Sequence, residues 1–130
     1  ICLAKEYERM IHVHVVGYTQ RAISLITNHS LSVPVMWHGF TGSRETALQL
    51  KKHNIMISLG TKGLVKSTKL KYHRQIPFLL ETDFPQPSSE NILSYSEIVT
   101  NLYHLASTML DIDQSELEER CHEAAKIFTY

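Results

Sequence analysis

Four short apolar segments, each followed by a stretch with helical character, constrain the fold of this chain more than any other feature. They span residues 10–16, 33–37, 54–60 and 75–83, and each is apolar nearly throughout instead of alternating apolar with polar side chains. A strand of that kind is buried on both faces, as in parallel sheets covered by helices. The sequence therefore predicts an α/β fold in which parallel strands alternate with helices.

Helices are predicted between these segments and after them. Ser43 stands where a helix N-cap belongs, and an amphipathic helix is predicted over 94–110. Residues 61–72 are basic and are expected to hold a loop and one short helix. Asp113 or Ser115 is expected to cap the last helix, since Ser115 has capping-box spacing to a glutamate.

Two architectures fit this alternation, because crossovers between parallel strands are right-handed. One is an open doubly wound sheet, and the other is part of a (β/α)8 barrel. A complete barrel takes about 250 residues, whereas this chain has 130. The glycine fingerprint of dinucleotide-binding folds and the phosphate-binding loop GxxxxGK[ST] are both absent from the sequence. In either architecture, functional side chains gather at the carboxyl ends of the strands.

A balanced charge limits the classes of partner. Thirteen basic and thirteen acidic residues give a formal net charge of zero. This excludes a generally basic nucleic-acid coat and a polybasic membrane-surface segment, so that any nucleic acid must bind at a local site. The sequence also has no apolar run of about 18 residues, the length of a membrane span, and we expect no membrane partner.

The cysteines and the amino terminus indicate the compartment. Cys2 and Cys121 lie near opposite ends of the chain without a CxxC pairing, which is typical of reduced thiols in a cytosol-like compartment. A disulfide between the chain ends is the alternative. The first residues carry charges where a signal peptide has its apolar stretch. We therefore expect a cytoplasmic protein, or a nuclear one in a eukaryotic cell.

Three side chains of metal-ligand type stand at the ends of three predicted strands. They are His14, His38 and Asp83, and parallel strands bring their carboxyl ends to one edge of the sheet. Imidazole and carboxylate are ligands that suit a divalent ion with an open position for water. The alternative is that His38 sits in a polar loop beside Trp37, and that Asp83 caps the turn before Pro85.

The chain has eight histidines, and only two are ligand candidates. His12 shares a strand face with His14 but lies deeper in the strand, so it is expected to be a core histidine. The others lie on helices or at helix ends, where solvated or dipole-complementing roles are expected: His29, His53, His73, His104 and His122.

A basic cluster follows the third predicted strand. Such a cluster is typical of a solvated face. If the site takes a phosphate-bearing substrate, Lys62 is the member best placed to reach it, because it lies nearest to the carboxyl end of the strand. The cluster comprises Lys62, Lys66, Lys69, Lys71 and Arg74.

Four segments of this sequence resemble one family in the right order. LLETDFP at 79–85 resembles the LLETDaP signature of the TatD family of metal-dependent hydrolases, within the amidohydrolase-like barrels. WHGFTGS at 37–43 is similar to its iHcFsG segment, and LAKEYERMIHVH at 3–14 to its LAkelglPvviH segment. SELEERCHEAAKIF at 115–128 is similar to its closing helix. Together these segments extend over nearly the whole chain.

The resemblance implies a (β/α)8 TIM-type barrel, of which residues 1–130 form a single region, its second half. It implies one or two divalent cations (Mg, Mn or Zn) and hydrolysis of phosphodiesters, as by a DNase, with DNA or another phosphodiester as substrate. His14, His38 and Asp83 match the family's metal-binding positions, and Asp83 is also expected to take a proton from the attacking water. Asn91 matches an asparagine of the family's NeP segment and is a substrate-binding candidate.

Two departures from the family pattern leave alternatives open. The family has Arg two residues after the strand histidine, where this chain has Val16. The family's amino-terminal HxH ligands and a following Glu ligand have no counterpart, because the chain begins where the second half of the barrel begins. The first half is therefore an expected partner. The alternatives are a catalytically impaired or non-catalytic domain of the same fold, and a metal-dependent hydrolase of esters or amides.

Overall fold

A four-stranded parallel sheet forms the centre of the structure, a computed structural model that describes residues 1–29, 32–82 and 94–128. The strands are paired in chain order, and each is parallel to its neighbour. This arrangement confirms the predicted α/β class, although each strand is shorter than predicted. The strands of the described chain are β1 (Ile11–His14), β2 (Val35–His38), β3 (Ile55–Leu59) and β4 (Phe78–Leu80).

Helices separate the strands and follow the last one. The structure also has two short 3-10 turns, at Tyr72–Arg74 and Lys126–Phe128. The α-helices of the described ranges are α1 (Cys2–Glu6), α2 (Thr19–Thr27), α3 (Arg44–Lys52), α4 (Thr61–Leu70), α5 (Tyr95–Leu110) and α6 (Gln114–Ala125).

Helix α4 occupies the segment for which a loop and a short helix were expected. It begins directly after Gly60, its N-cap, and runs for ten residues. Its buried positions are Gly63, Leu64 and Ser67, which lie on one face at helical spacing. The lysines that suggested a loop occupy the outer face of the same helix. The expected helix is therefore confirmed, and the expectation of a loop over residues 61–70 was wrong.

Two of the predicted caps have a clear outcome. The Ser43 side chain accepts a hydrogen bond from the Thr46 backbone N–H at 3.2 Å, which confirms the predicted start of α3. Asp113, and not Ser115, caps α6. Its Oδ1 accepts from the backbone N–H of Ser115 at 2.9 Å and from the Ser115 hydroxyl at 2.5 Å.

The two faces of the sheet differ in burial. On β1, Ile11 and Val13 are half-buried and pack against the core, whereas His12 and His14 are exposed. On β2, Trp37 is buried in the same core layer as Ile11. The expectation of a core position for His12 was therefore wrong, because its face of this edge strand is the open one.

His73 is buried, unlike the other histidines that were expected to be solvated. Only 3% of its surface is exposed. Its Nδ1 lies 3.1 Å from the Ser67 hydroxyl and 3.2 Å from the Ser67 carbonyl oxygen. The 3-10 turn after α4 folds the ring back beneath that helix, which local periodicity did not indicate. Exposure is confirmed for His29, His53, His104 and His122.

Both cysteines are free thiols, Cys2 exposed and Cys121 buried. The alternative of a disulfide between the chain ends was therefore wrong. Burial raises the pKa of the Cys121 thiol. Across the described ranges, no helix is both long enough and apolar enough to cross a membrane.

Candidate metal centre

Two of the predicted ligands lie side by side at the carboxyl edge of the sheet. His14 is the last residue of β1 and His38 the last of β2, and the parallel register pairs them directly. Their ring centroids are 5.5 Å apart, with the ring planes tilted by 45°. The strand pairing brings these two side chains together, although they are far apart in the sequence.

The other predicted residues divide into two groups. Asp83 and Asn91 lie outside the described residues. Lys62 lies in the first turn of α4, exposed to solvent, and it lines a cavity next to the histidine pair.

This cavity has a volume of about 580 Å³ and opens at the carboxyl edge of the sheet. The strand ends form one side of it, and the start of α4 and a face of α5 form the rest. It is large enough for a nucleotide-sized group. Its polar lining residues are His14, His38, Thr41, Thr61, Lys62, Glu81, Thr82 and Asn101.

Glu81 is the site residue that sequence reasoning missed. Its Oε2 lies 2.5 Å from Nδ1 of His38. The same oxygen accepts from the backbone N–H of Gly39 at 3.1 Å and from the hydroxyl of Ser58. Only 13% of the Glu81 side chain is exposed. A carboxylate in the LETD segment, at the end of the fourth strand, was the available signal.

Two glycines make room for this carboxylate. Gly39 has φ +64°, a backbone conformation that residues other than glycine rarely adopt. In this conformation its N–H donates to Glu81. A Cβ added at Gly60 would lie 3.3 Å from Oε1 of Glu81, closer than ordinary contact. Glycine at both positions therefore allows the strand ends to approach this half-buried carboxylate closely.

Two side chains at this edge, His14 and His38, are of a type that divalent cations bind. Imidazole nitrogen is a ligand for zinc and other transition metals. A carboxylate against one ring nitrogen is the arrangement that orients the other ring nitrogen of metal-binding histidines, and Glu81 stands so against His38. In the part of the chain that the structure describes, no group of three or more His, Cys, Asp or Glu residues is placed to hold a metal. His14 and His38 therefore bring two imidazole donors to this edge, fewer than the three or four protein ligands of a typical zinc site.

Comparisons with known proteins give one family match and one structural match that agree with the observed α/β fold. The chain matches the family model of TatD-related DNases over residues 1–129. No curated protein sequence matches it. Its structure is similar to the crystal structure of YjjV, a TatD homologue from Escherichia coli K12, with a TM-score of 0.75 at 18% sequence identity.

The match with that solved structure covers 98% of this chain and 52% of the other. The chain therefore spans about half the length of its structural relative. At this level of identity the likeness concerns the fold, and it confirms the predicted α/β architecture as part of a (β/α)8 barrel.

Proposed function

Because the chain belongs to the family of TatD-related DNases, which it matches over residues 1–129, we propose that its protein is a divalent-metal-dependent hydrolase of phosphodiester bonds. The observation that carries the proposal is the pairing of His14 with His38 beside a cavity at the carboxyl edge of the sheet. That edge is where barrel enzymes place their catalytic side chains.

In this proposal His14, His38 and Asp83 hold the cation. The remaining ligands come from the first half of the barrel. A divalent cation bound there supplies Lewis acidity toward a phosphoryl oxygen and acidifies a water molecule. The Asp83 carboxylate takes a proton from the attacking water, as the family resemblance implies. Among Mg, Mn and Zn, imidazole nitrogen favours Zn, whereas a site richer in carboxylates favours Mg or Mn.

Lys62 is proposed to bind the substrate phosphate. It lies in the first turn of α4, and a lysine charge and the amino-terminal end of a helix both attract an anion. It also lines the same cavity as the histidine pair. Asn91 is proposed as a second substrate contact, on the family resemblance alone.

The test uses the protein that carries this chain, at its natural length. The wild type is expected to hydrolyse bis(p-nitrophenyl) phosphate and single-stranded DNA with Mg, Mn or Zn, and a chelator is expected to abolish both activities. His14→Ala and His38→Ala are expected to lower the bound metal, measured by elemental analysis, and to lower diester hydrolysis by about 100-fold or more.

His53→Ala is the matched control, because His53 is exposed at the carboxyl end of α3, away from the cavity. It is expected to retain wild-type metal content and activity. Unchanged metal stoichiometry in both His14→Ala and His38→Ala would show that these residues are not ligands and would overturn the proposal.

Val16 favours the non-catalytic alternative. It stands where the family has Arg, and 83% of its surface is exposed two residues beyond His14. A protein that binds metal but does not turn over single-stranded DNA would support this alternative. Hydrolysis of p-nitrophenyl acetate without hydrolysis of the diester would instead indicate an esterase or amidase.

A further inference from the structure

The outer side of α4 carries three lysines in a row. Lys62, Lys66 and Lys69 follow one another at helical spacing, so they lie on one side of the helix, and all three are exposed. Lys62 lines the cavity beside the histidine pair. A helix rises about 1.5 Å per residue, which places Lys69 about 10 Å farther along the axis than Lys62. This lysine row therefore leads from the cavity along the outside of the molecule.

The charge of the lysine row is not balanced within the described structure. Residues 61–74 contain five Lys or Arg residues and no Asp or Glu, although the whole chain has no net charge. In the part of the chain that the structure describes, no ion pair or side-chain hydrogen bond involves the three lysines. Helix α5, which packs against α4, has one acidic residue, Glu97, and its carboxylate accepts from the Ser94 backbone N–H at 2.7 Å. The row is therefore a locally positive surface on a neutral chain.

The row lies on a side of α4 that a complete barrel leaves open. On its inner side α4 packs against β3 and α5, with Leu64 fully buried. In a (β/α)8 barrel the helices form the outer ring around the strands, so the side of a helix that faces away from the sheet contacts solvent. The lysine row occupies that side of α4. Further strands added beside the edge strands of the sheet would therefore leave the row uncovered.

We propose that the lysine row binds backbone phosphates of a single-stranded nucleic acid whose reacting nucleotide lies in the cavity. The inference rests on the proposed function, since it extends the substrate contact of Lys62 to the phosphates next to the reacting one. The cavity, at about 580 Å³, holds a nucleotide-sized group, so a strand has to be unpaired to enter it. Lysines bind successive phosphates through charge, without regard to base sequence.

An anionic membrane is the other large partner that a basic helix face attracts, and α4 is poorly suited to it. A helix that lies on a membrane buries an apolar face among the lipids. The inner side of α4 is already in use, because Leu64 is buried in the core. Within this helix, which the structure describes completely, Val65 is the one large apolar side chain that is exposed. The helix therefore favours a nucleic-acid backbone, which needs positive charge alone.

The test measures the binding of single-stranded oligothymidylate to the natural-length protein by fluorescence anisotropy, with a chelator present to prevent hydrolysis. The wild type is expected to bind a strand of about 12 nucleotides more tightly than a dinucleotide, because only the longer strand extends along the row. Salt weakens single-strand binding with a log–log slope of about 0.7 for each neutralised phosphate.

Two lysine variants assign this binding to the row. Lys66→Gln and Lys69→Gln are each expected to reduce the salt slope for the longer strand by about 0.7, and the double variant by about 1.4. Between about 50 and 200 mM salt, the wild type is then expected to lose about 7-fold more affinity than the double variant. Both positions are exposed, and glutamine is about as favourable in a helix as lysine, so the variants are expected to fold.

Lys52→Gln is the matched control, because it removes the same charge from an exposed position in the last turn of α3, outside the lining of the cavity. It is expected to leave the salt slope unchanged. Unchanged slopes in both Lys66→Gln and Lys69→Gln would overturn the proposal, as would equal wild-type affinities for the two strand lengths. Loss of binding to phosphatidylserine vesicles in these variants, with unchanged binding of the longer strand, would overturn it in favour of a membrane surface.

The binding readout separates this inference from the proposed function. Failure of diester hydrolysis in a wild type whose strand binding depends on Lys66 and Lys69 would reject the nuclease proposal and leave the lysine row as a nucleic-acid surface. Metal-dependent hydrolysis together with unchanged salt slopes in the variants would instead reject the role of the row alone.

Discussion

Burial of the His73 ring makes the stability of this fold depend on pH. Loss of solvation lowers the pKa of His73, and the nearby charges of Arg74 and Arg120 lower it further. The folded state therefore binds this proton less readily than the unfolded chain does. The stabilising contribution is complete above the usual imidazole pKa of about 6.5 and is lost as the pH falls through the lower pKa of the folded state.

We expect the free energy of unfolding to decrease as the pH falls below about 6.5, and His73→Gln to reduce that decrease. The glutamine amide can still contact Ser67 but does not titrate in this range. Urea unfolding across this pH range, followed by circular dichroism, measures the effect. His53→Gln, at an exposed position, is the control. An identical pH dependence in wild type and His73→Gln would contradict this prediction.

The residues of the candidate centre differ in how far the sequence could predict them. His14 lies within the first apolar segment and His38 directly follows the second, so their proximity follows from the pairing of these two strands in a parallel sheet. Glu81 could not be assigned to His38 in this way, because the contact depends on the exact register of β3 with β4 and on glycine at position 39. A local pattern does not contain that information.

At the scale of elements, helix α4 is fixed by its close approach to the strand edge. A Cβ added at Gly63 would lie 2.6 Å from the carbonyl oxygen of Phe40 and 3.1 Å from Cδ2 of Leu59. The helix therefore packs at a distance that only glycine permits at this position. This contact holds the start of α4, with Lys62, beside the histidine pair.

Gly63→Ala is expected to destabilise the protein by about 1–3 kcal/mol, because the added methyl group overpacks the contact with the Phe40 backbone. Helix propensity alone predicts the opposite sign, since alanine is favoured over glycine by about 1 kcal/mol within a helix. Urea unfolding gives the difference directly.

Lys66→Ala on the exposed face of the same helix is the control, with an expected change within about 0.5 kcal/mol. A stabilised Gly63→Ala variant would show that α4 leaves room for a methyl group beside the Phe40 backbone, contrary to this prediction.

The elements themselves were largely predictable. Apolar runs located all four strands, but they extended past the strand ends, since side chains beside a strand are buried by the same core. In the segment of α4, the lysines obscured the helical period, because a solvated helix face and a loop have the same composition. Burial of Gly63, Leu64 and Ser67 on one face distinguishes the helix from a loop, but this burial is known only from the folded structure.

At the scale of the molecule, the sheet has one helix-covered face and one face that is open at β1. His12 and His14 point to the open face, and both are exposed. The solved relative is about twice as long as the matched region, 52% of it being covered. A barrel fold places further strands beside the edge strands of such a sheet. We propose that the first half of the barrel covers this face.

Residues 1–130 produced alone are expected to self-associate at micromolar concentration, because an open strand edge pairs with other edges. Sedimentation velocity measures the association. His12→Lys places a charge on the open face of β1 and is expected to reduce it, whereas His122→Lys, exposed on α6, is expected to have no effect. A monomeric wild-type fragment would contradict this prediction.

The order of the strands in the sheet also affects how the chain can fold during its synthesis. Each strand pairs with the one that precedes it in the sequence, and every connection returns the chain to the growing edge of the sheet. A domain of this kind can be assembled vectorially, since each newly emerged strand-and-helix unit docks on a surface that the ribosome has already released. The similar length of the connections also means that each docking step has a similar entropic cost, since that cost grows only slowly with loop length.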